Sequence, residues 1–209
     1  EDVSNFSISS ICADNLVDKR IFDKQYLNEN LRPICNTALK NNIKNITIPL
    51  LEDSSVVNDE LHKKFCKMIK EYSTEYKAIK EYSLEYKNIN FLFEAELEVS
   101  KLMDILSISD NFFVTYDTGN ITSCGFEHEE YLSLIWSRVK NVHLKDRTFA
   151  AQTLPPTKGD TNFKQIFNFL REKEYNELYT LQTAREEFGN EIETIKKHKQ
   201  ILEKIYYNE

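Results

Sequence analysis

Six short apolar segments, each separated from the next by a stretch of helical character, constrain this chain more than any other feature. They are residues 5–12 (NFSISSIC), 45–51 (NITIPLL), 89–94 (INFLFE), 111–116 (NFFVTY), 140–144 (KNVHL) and 178–182 (LYTLQ). All are rich in Ile, Phe, Val and Tyr, and most lack a clean apolar–polar alternation, as expected of strands covered on both faces. The intervening stretches, roughly 24–40, 58–86, 96–107, 127–138, 161–172 and 186–206, read as helices. Regular strand–helix alternation implies a parallel sheet of the α/β class. Eight such units would close a barrel and six are present, so the expectation is a single domain over residues 1–209 that lacks about two strand–helix units at its N-terminus. An open six-stranded sheet is the alternative, and its unpaired edges would need cover.

A tandem repeat interrupts the second helical stretch, where IKEYSTEYKA at 69–78 is followed at once by IKEYSLEYKN at 79–88. Ten residues turn a helix by roughly 280°, so the two copies cannot present one stripe to one core. At least part of the second copy is expected to be solvated or to project outward, as a surface insertion or as a partner-binding extension.

Bulk properties exclude some functions. The formal charge of -7 and pI near 5.3 give no basic footprint for a phosphate backbone, so no nucleic-acid partner is expected. No apolar run approaches the roughly 18 residues of a membrane span, and the acidic N-terminus lacks a signal-peptide pattern. Cys12, Cys35, Cys66 and Cys124 are widely spaced without CxxC pairs. With Cys12 and Cys66 in apolar sequence surroundings, they read as reduced thiols of a cytoplasmic protein.

Four strand segments run directly into polar residues able to hold a metal: Glu94 in LFEAELE, Asp117 in TYDTGN, His143 in NVHLKDR and Gln182 in TLQTAR. The C-terminal ends of barrel strands are where such folds carry their chemistry. A carboxylate closing the run INFLF favours its neutral form unless a cation compensates, which makes Glu94 the most informative acid in the chain. Glu96 and Glu98 belong instead to the first turn of a helix. Asp117 reads either as a ligand or as a cap on the following helix, and Gly119 as the residue that permits a tight turn. His143 sits in an apolar strand followed by Lys145, Asp146 and Arg147; an imidazole there needs an orienting partner, and the two cations suit a substrate phosphate or carboxylate or pair with Asp146. His62, His128 and His198 fall on helices with charged neighbours and read as solvated. Glu52, after TIPLL, reads as a substrate contact. In the segment 155–163, Lys158, Gly159 and Asp160 either order a mobile lid, or Asp160 or Thr161 caps the next helix.

Taken in order, ITIPLLEDSS, INFLFEAELE, VTYDTGN, NVHLKDR, GDTNF and YNELYTLQTAR resemble the sugar phosphate isomerase/epimerase family of xylose-isomerase-like (β/α)8 TIM barrels, starting at what looks like the family's third strand. The resemblance implies a divalent ion, Mn²⁺ or Mg²⁺ first and Co²⁺ or Zn²⁺ next, held by a Glu, an Asp, a His and a second Glu. By position these are Glu94, Asp117, His143 and Gln182, the last a departure from the family pattern. It implies catalysis by proton transfer through an enediolate on a sugar or sugar phosphate, with Glu94 and the Gln182 position catalytic and Glu52, Asn120, Lys145, Arg147 and Arg185 contacting substrate. Asn120 stands where ketose epimerases tend to carry His. An amide oxygen still ligates a metal, but Gln182 cannot serve as a general base. Two-base epimerisation is therefore put in doubt, while one-base aldose–ketose isomerisation is retained. A metal- or sugar-binding scaffold without turnover also fits. The zinc-rich abasic-site endonuclease branch of the same superfamily fits less well, because one His alone lies at a strand end. The resemblance also leaves open a homo-oligomer.

Overall fold

The computed structural model describes residues 7–18, 24–70, 85–150, 152–186 and 188–208. Six strands form one sheet in the order in which they occur along the chain, apart from a two-stranded excursion. They are β1 (Ser10–Cys12), β2 (Asn45–Leu50), β3 (Asn90–Ala95), β4 (Phe112–Asp117), β5 (Val139–Leu144) and β8 (Leu178–Leu181). The excursion pairs β6 (Asp146–Arg147) with β7 (Thr153–Leu154) as a short antiparallel ladder that the sequence reading did not foresee. The helices are α1 (Lys24–Lys40), α2 (Asp59–Lys70), α3 (Val99–Leu106), α4 (Thr118–Ser123), α5 (His128–Ile135), α6 (Phe163–Glu172) and α7 (Glu191–Tyr207). All six expected strands are thus present, with boundaries shifted by a residue or two, except that β1 is shorter than its segment. Most of the tandem repeat, residues 71–84, lies outside the described residues. Among those that are described, no helix is long and apolar enough to cross a membrane.

The chain divides into two compact units, Glu1–Val114 and Thr115–Glu209. In the first, β1, β2 and β3 pair in parallel, with Pro49 opposite Glu94 and Leu50 opposite Ala95, and β3 pairs with β4 through Phe93 opposite Val114. Side chains alternate across a strand. Phe91 and Phe93 meet Phe112 edge-on at 6.5 and 5.0 Å between ring centres, and Phe65 of α2 meets Phe93 at 6.4 Å. These rings mark the helix-covered face. Glu94, one residue out of phase with Phe93, therefore lies on the opposite face and is still only 4% exposed.

In the second unit β5 pairs in parallel with β8, placing His143 opposite Thr180 and Leu144 opposite Leu181. An aromatic cluster of Phe163, Phe167, Tyr179 and Tyr206, with successive ring centres 5.2–6.2 Å apart, packs α6 and α7 on one face of these strands. Tyr116 of β4 points the same way, toward Tyr131 of α5. By alternation Asp117 and His143 take the other face.

Four expectations are corrected. His62, His128 and His198 are buried, at 6%, 6% and 0% exposure. Their flanking residues are charged, but the residues three and four positions away, Phe65 and Cys66, Tyr131 and Leu132, Thr194 and Leu202, are buried and share their helix face. Residues 118–123 form a helix rather than a tight turn. Neither Asp160 nor Thr161 caps α6; Asn162 does, its side chain accepting from the Gln165 amide at 3.1 Å. Finally, Cys12 is an exposed residue whose Sγ donates to Asp14 at 3.0 Å rather than one set in wholly apolar surroundings.

Candidate metal centre

Asp117 is the last residue of β4 and the cap of α4. Its Oδ1 accepts from the Asn120 amide at 2.8 Å, and its Oδ2 lies 3.4 Å from Lys145 Nζ. Capping, read from the sequence as the rival of ligation, is thus observed and occupies one oxygen, leaving the other facing a cation. The Asp117 side chain is 1% exposed. Asn120 links the same group to Arg147, whose NH1 donates to Asn120 Oδ1 at 2.9 Å. Lys145 and Arg147 are therefore gathered on one carboxylate–amide pair at the end of β4.

The strand end carrying His143 is fixed by threonines. The fully buried Thr118 donates through Oγ1 to the carbonyls of His143 (3.1 Å) and Lys145 (2.7 Å), and accepts from the Lys145 amide at 3.0 Å. One turn on, Thr122 Oγ1 lies 2.9 Å from Thr161 Oγ1 and 2.9 Å from His128 Nε2, and His128 Nδ1 lies 2.6 Å from the Tyr116 hydroxyl. Burial holds the His128 imidazole down to about 4, so the ring is neutral and serves as a hydrogen-bonding bridge.

Asp146, between the two cations, faces the other way. It is 1% exposed, and its carboxylate accepts from the backbone amides of Lys158, Gly159 and Thr161 at 3.1, 3.0 and 3.1 Å. This clamp, with the β6–β7 ladder, ties the 158–161 segment down.

Two glycines allow close approaches. A Cβ at Gly119 would stand 2.8 Å from Lys145 Cγ and 3.0 Å from Arg147 Cγ, and one at Gly159 would collide with Asp146 Oδ1 and sit 2.8 Å from the Arg147 carbonyl oxygen. Gly119 is therefore needed for the passage of the two cationic side chains over α4, not for a turn.

The other expected site residues are placed as follows. Glu52 is exposed and opens a single turn beyond β2 with a left-handed φ of 49°. Gln182 is one residue past β8, its amide donating to the Leu144 carbonyl at 3.1 Å; it and Arg185 are exposed and line a cleft of about 490 Å³. Thr183, between them, is held by a 2.8 Å contact from its Oγ1 to Nδ1 of the buried His198. Glu94 is buried in the first unit, at 4% exposure, and Asp117 and His143 are buried in the second, at 3% and 5%. Two carboxylates and an imidazole are donor types that suit a divalent cation. Thr118, Thr122, Thr161, Asp146 and His128 were missed as supports of the site. A usable signal was the TxxxT spacing in TGNITS, which puts two hydroxyls on one helix face.

A sheet of parallel strands alternating with helices, bearing buried ligand-type residues at strand ends, belongs to the α/β barrel class. The profile of the xylose isomerase-like TIM barrel family matches residues 84–205, more than half of the chain, and the chain belongs to that family. Among curated proteins it is 26% identical over 177 residues to the inosose dehydratase of two Clostridium perfringens strains; the match covers 75% of this chain and 59% of the relatives' length. Two solved structures share the fold. A D-tagatose 3-epimerase-like protein superposes with a TM-score of 0.73 at 16% identity, covering 97% of this chain and 79% of its own. The IOLI protein, solved with a bound zinc atom, gives 0.67 at 14% identity, covering 94% and 76%.

Proposed function

We propose that this chain is a divalent-metal-dependent isomerase or epimerase of a sugar or sugar phosphate. The burial of the ligand-type residues Glu94, Asp117 and His143, each at the end of a parallel strand, carries this reading. Glu94, Asp117 and His143 hold the ion, with the Gln182 amide oxygen as a fourth ligand offered from the turn after β8. When bound, the ion supplies Lewis-acid stabilisation of the oxyanion that forms as a proton leaves the carbon next to a carbonyl.

The chain's own residues do the rest. Glu94 takes that proton and returns it to the neighbouring carbon on the same face, the one-base course of aldose–ketose isomerisation, because Gln182 has no basic lone pair with which to work from the opposite face. Lys145 and Arg147 orient the substrate through its oxygens or a phosphate, held in register by Asp117, Asn120 and the passage over Gly119. Glu52 and Arg185 contact the substrate's far end.

Dehydration is a second reading, supported by the identity to inosose dehydratase. Glu94 removes the same proton and delivers it to the β-hydroxyl, which leaves as water, giving an unsaturated ketone that is the enol of a diketone where the carbon losing the proton carries a hydroxyl.

The test is incubation of the metal-loaded chain with keto sugars, sugar phosphates and inososes in D2O, followed by NMR. Deuterium entering next to the carbonyl with an isomeric product supports isomerisation, and an olefinic or enol product supports dehydration. Bound metal without exchange on any substrate would replace both readings with a binding protein. A Gln182→Glu variant that gains two-sided exchange would identify the Gln as the reason the parent works from one face.

A further inference from the structure

We propose that His198 is a positioning residue for Gln182, fixing the turn after β8 through Thr183 and Glu186 so that the Gln182 amide oxygen is presented to the metal. The inference rests on the ligand role given to Gln182 above, and its residues all lie within the second compact unit.

His198 and Lys197, both on α7, reach back to the segment that leads into that helix. His198 is fully buried, and its Nδ1 lies 2.8 Å from Thr183 Oγ1. Its Nε2 stands 3.6 Å from Glu186 Oε2, beyond hydrogen-bond length but within ion-pair reach. Lys197 Nζ donates to both oxygens of the same carboxylate, at 3.2 and 3.0 Å. These bonds hold the Glu186 carboxyl below the usual carboxylate range, so Nε2 faces an anion. The tautomer follows from that. A neutral imidazole has one N–H and one lone pair, and a lone pair on Nε2 would be turned on the carboxylate. Nε2 therefore carries the proton, and Nδ1 accepts from the Thr183 hydroxyl.

These contacts pin the backbone on the far side of Gln182. On the near side its own amide is already tied to the Leu144 carbonyl at 3.1 Å. Thr183 is the next residue along, and Glu186 holds the turn again three residues later. The Gln182 side chain is exposed at the mouth of a cleft of about 490 Å³, so its placement comes from the backbone beneath it rather than from enclosure. An amide needs that help more than a carboxylate does. A carboxylate is drawn to a cation by charge and offers either oxygen, whereas an amide is neutral and presents an oxygen at one end and an NH2 at the other.

The test is a double-mutant cycle on Mn²⁺ affinity, measured by calorimetry on the whole chain. Thr183→Val keeps the shape and removes the hydroxyl. It is expected to weaken Mn²⁺ binding about tenfold, the scale of losing a ligand-orienting contact, and Thr183→Ser to restore it. In a Gln182→Ala background the same change is expected to cost nothing further, because two residues acting through one contact are not additive. Ile166→Val loosens the buried core of the same unit without touching the turn and is expected to leave Mn²⁺ affinity unchanged. Histidine ¹⁵N NMR reads the contacts without metal: the His198 ring should carry its proton on Nε2, and Thr183→Val and Glu186→Gln should each shift its signals. Wild-type affinity in Thr183→Val, an equal loss with Gln182 already removed, the same loss in Ile166→Val, or a ring protonated on Nδ1 alone would each overturn the positioning role. A Gln182→Ala variant that binds Mn²⁺ as tightly as the wild type would instead overturn the ligand role of Gln182 on which the inference rests.

Discussion

The Thr118 hydroxyl is bracketed by the backbone of Lys145: it donates to the Lys145 carbonyl at 2.7 Å and accepts from the Lys145 amide at 3.0 Å. The residue after Asp117 thereby fixes the strand end two residues beyond His143. Thr118→Val keeps the shape and removes both bonds, leaving buried backbone groups unsatisfied at about 1–3 kcal/mol. We expect a loss of about 2 kcal/mol in urea unfolding and metal binding weakened at least about tenfold, the scale of losing a ligand-orienting contact. Thr118→Ser should restore both; calorimetry showing unchanged metal affinity in the valine variant would remove Thr118 from the site's support.

Gly119→Ala is a case in which propensity and packing oppose each other. Gly to Ala inside a helix ordinarily gains about 1 kcal/mol. At Gly119 the new Cβ meets Lys145 Cγ at 2.8 Å and Arg147 Cγ at 3.0 Å, and overpacking of this kind costs about 1–3 kcal/mol. The melting temperature is expected to stay level or fall, and the KM for a phosphorylated substrate to rise with bound metal unchanged. A clear rise in melting temperature would mean that the two cationic side chains move aside freely.

Much of this was legible in the sequence, for reasons that particular residues illustrate. Glu94 and Asp117 stand out because an apolar run that ends in a carboxylate has few structural uses, and strand ends are easy to locate when both faces of the strand are buried. The histidines on helices were misread because sequence neighbours were weighed instead of helix neighbours: His198 follows Lys197 but shares its face with Thr194 and Leu202. Gly119 drew notice for its type while its role depended on Lys145 and Arg147, 26 and 28 positions away, which no local pattern reports. The same holds for Asp146, whose partners at 158, 159 and 161 are backbone amides and leave no trace in side-chain identity.

The neutral His128 makes stability depend on pH. Its folded value of about 4 lies below the ordinary 6.5, so between these limits the unfolded chain binds a proton that the folded chain refuses. The contribution is present in full above about pH 6.5 and is lost as pH falls toward 4, at most about 3 kcal/mol. Melting curves should show the wild type losing stability over this window more steeply than His128→Gln. Equal slopes in the two proteins would show that the Tyr116–His128–Thr122 bridge plays no part in acid sensitivity.

The Asp146 clamp should govern how often the 158–161 segment opens. A carboxylate accepting three amides is matched by charge as well as geometry, whereas Asp146→Asn keeps one acceptor oxygen and turns an NH2 toward donors. The loss is on the order of 3 kcal/mol where it acts. Hydrogen exchange resolves it by position. The amides of Lys158, Gly159 and Thr161 should lose protection in the variant, while the Gln182 amide, bonded to the Leu144 carbonyl between β8 and β5, should keep its rate if opening is confined to the segment. Acceleration at all four would instead make Asp146 a support of the whole second unit, and unchanged rates at the first three would mean that the β6–β7 ladder and the Asp160 amide bond to Arg147 hold the segment without it.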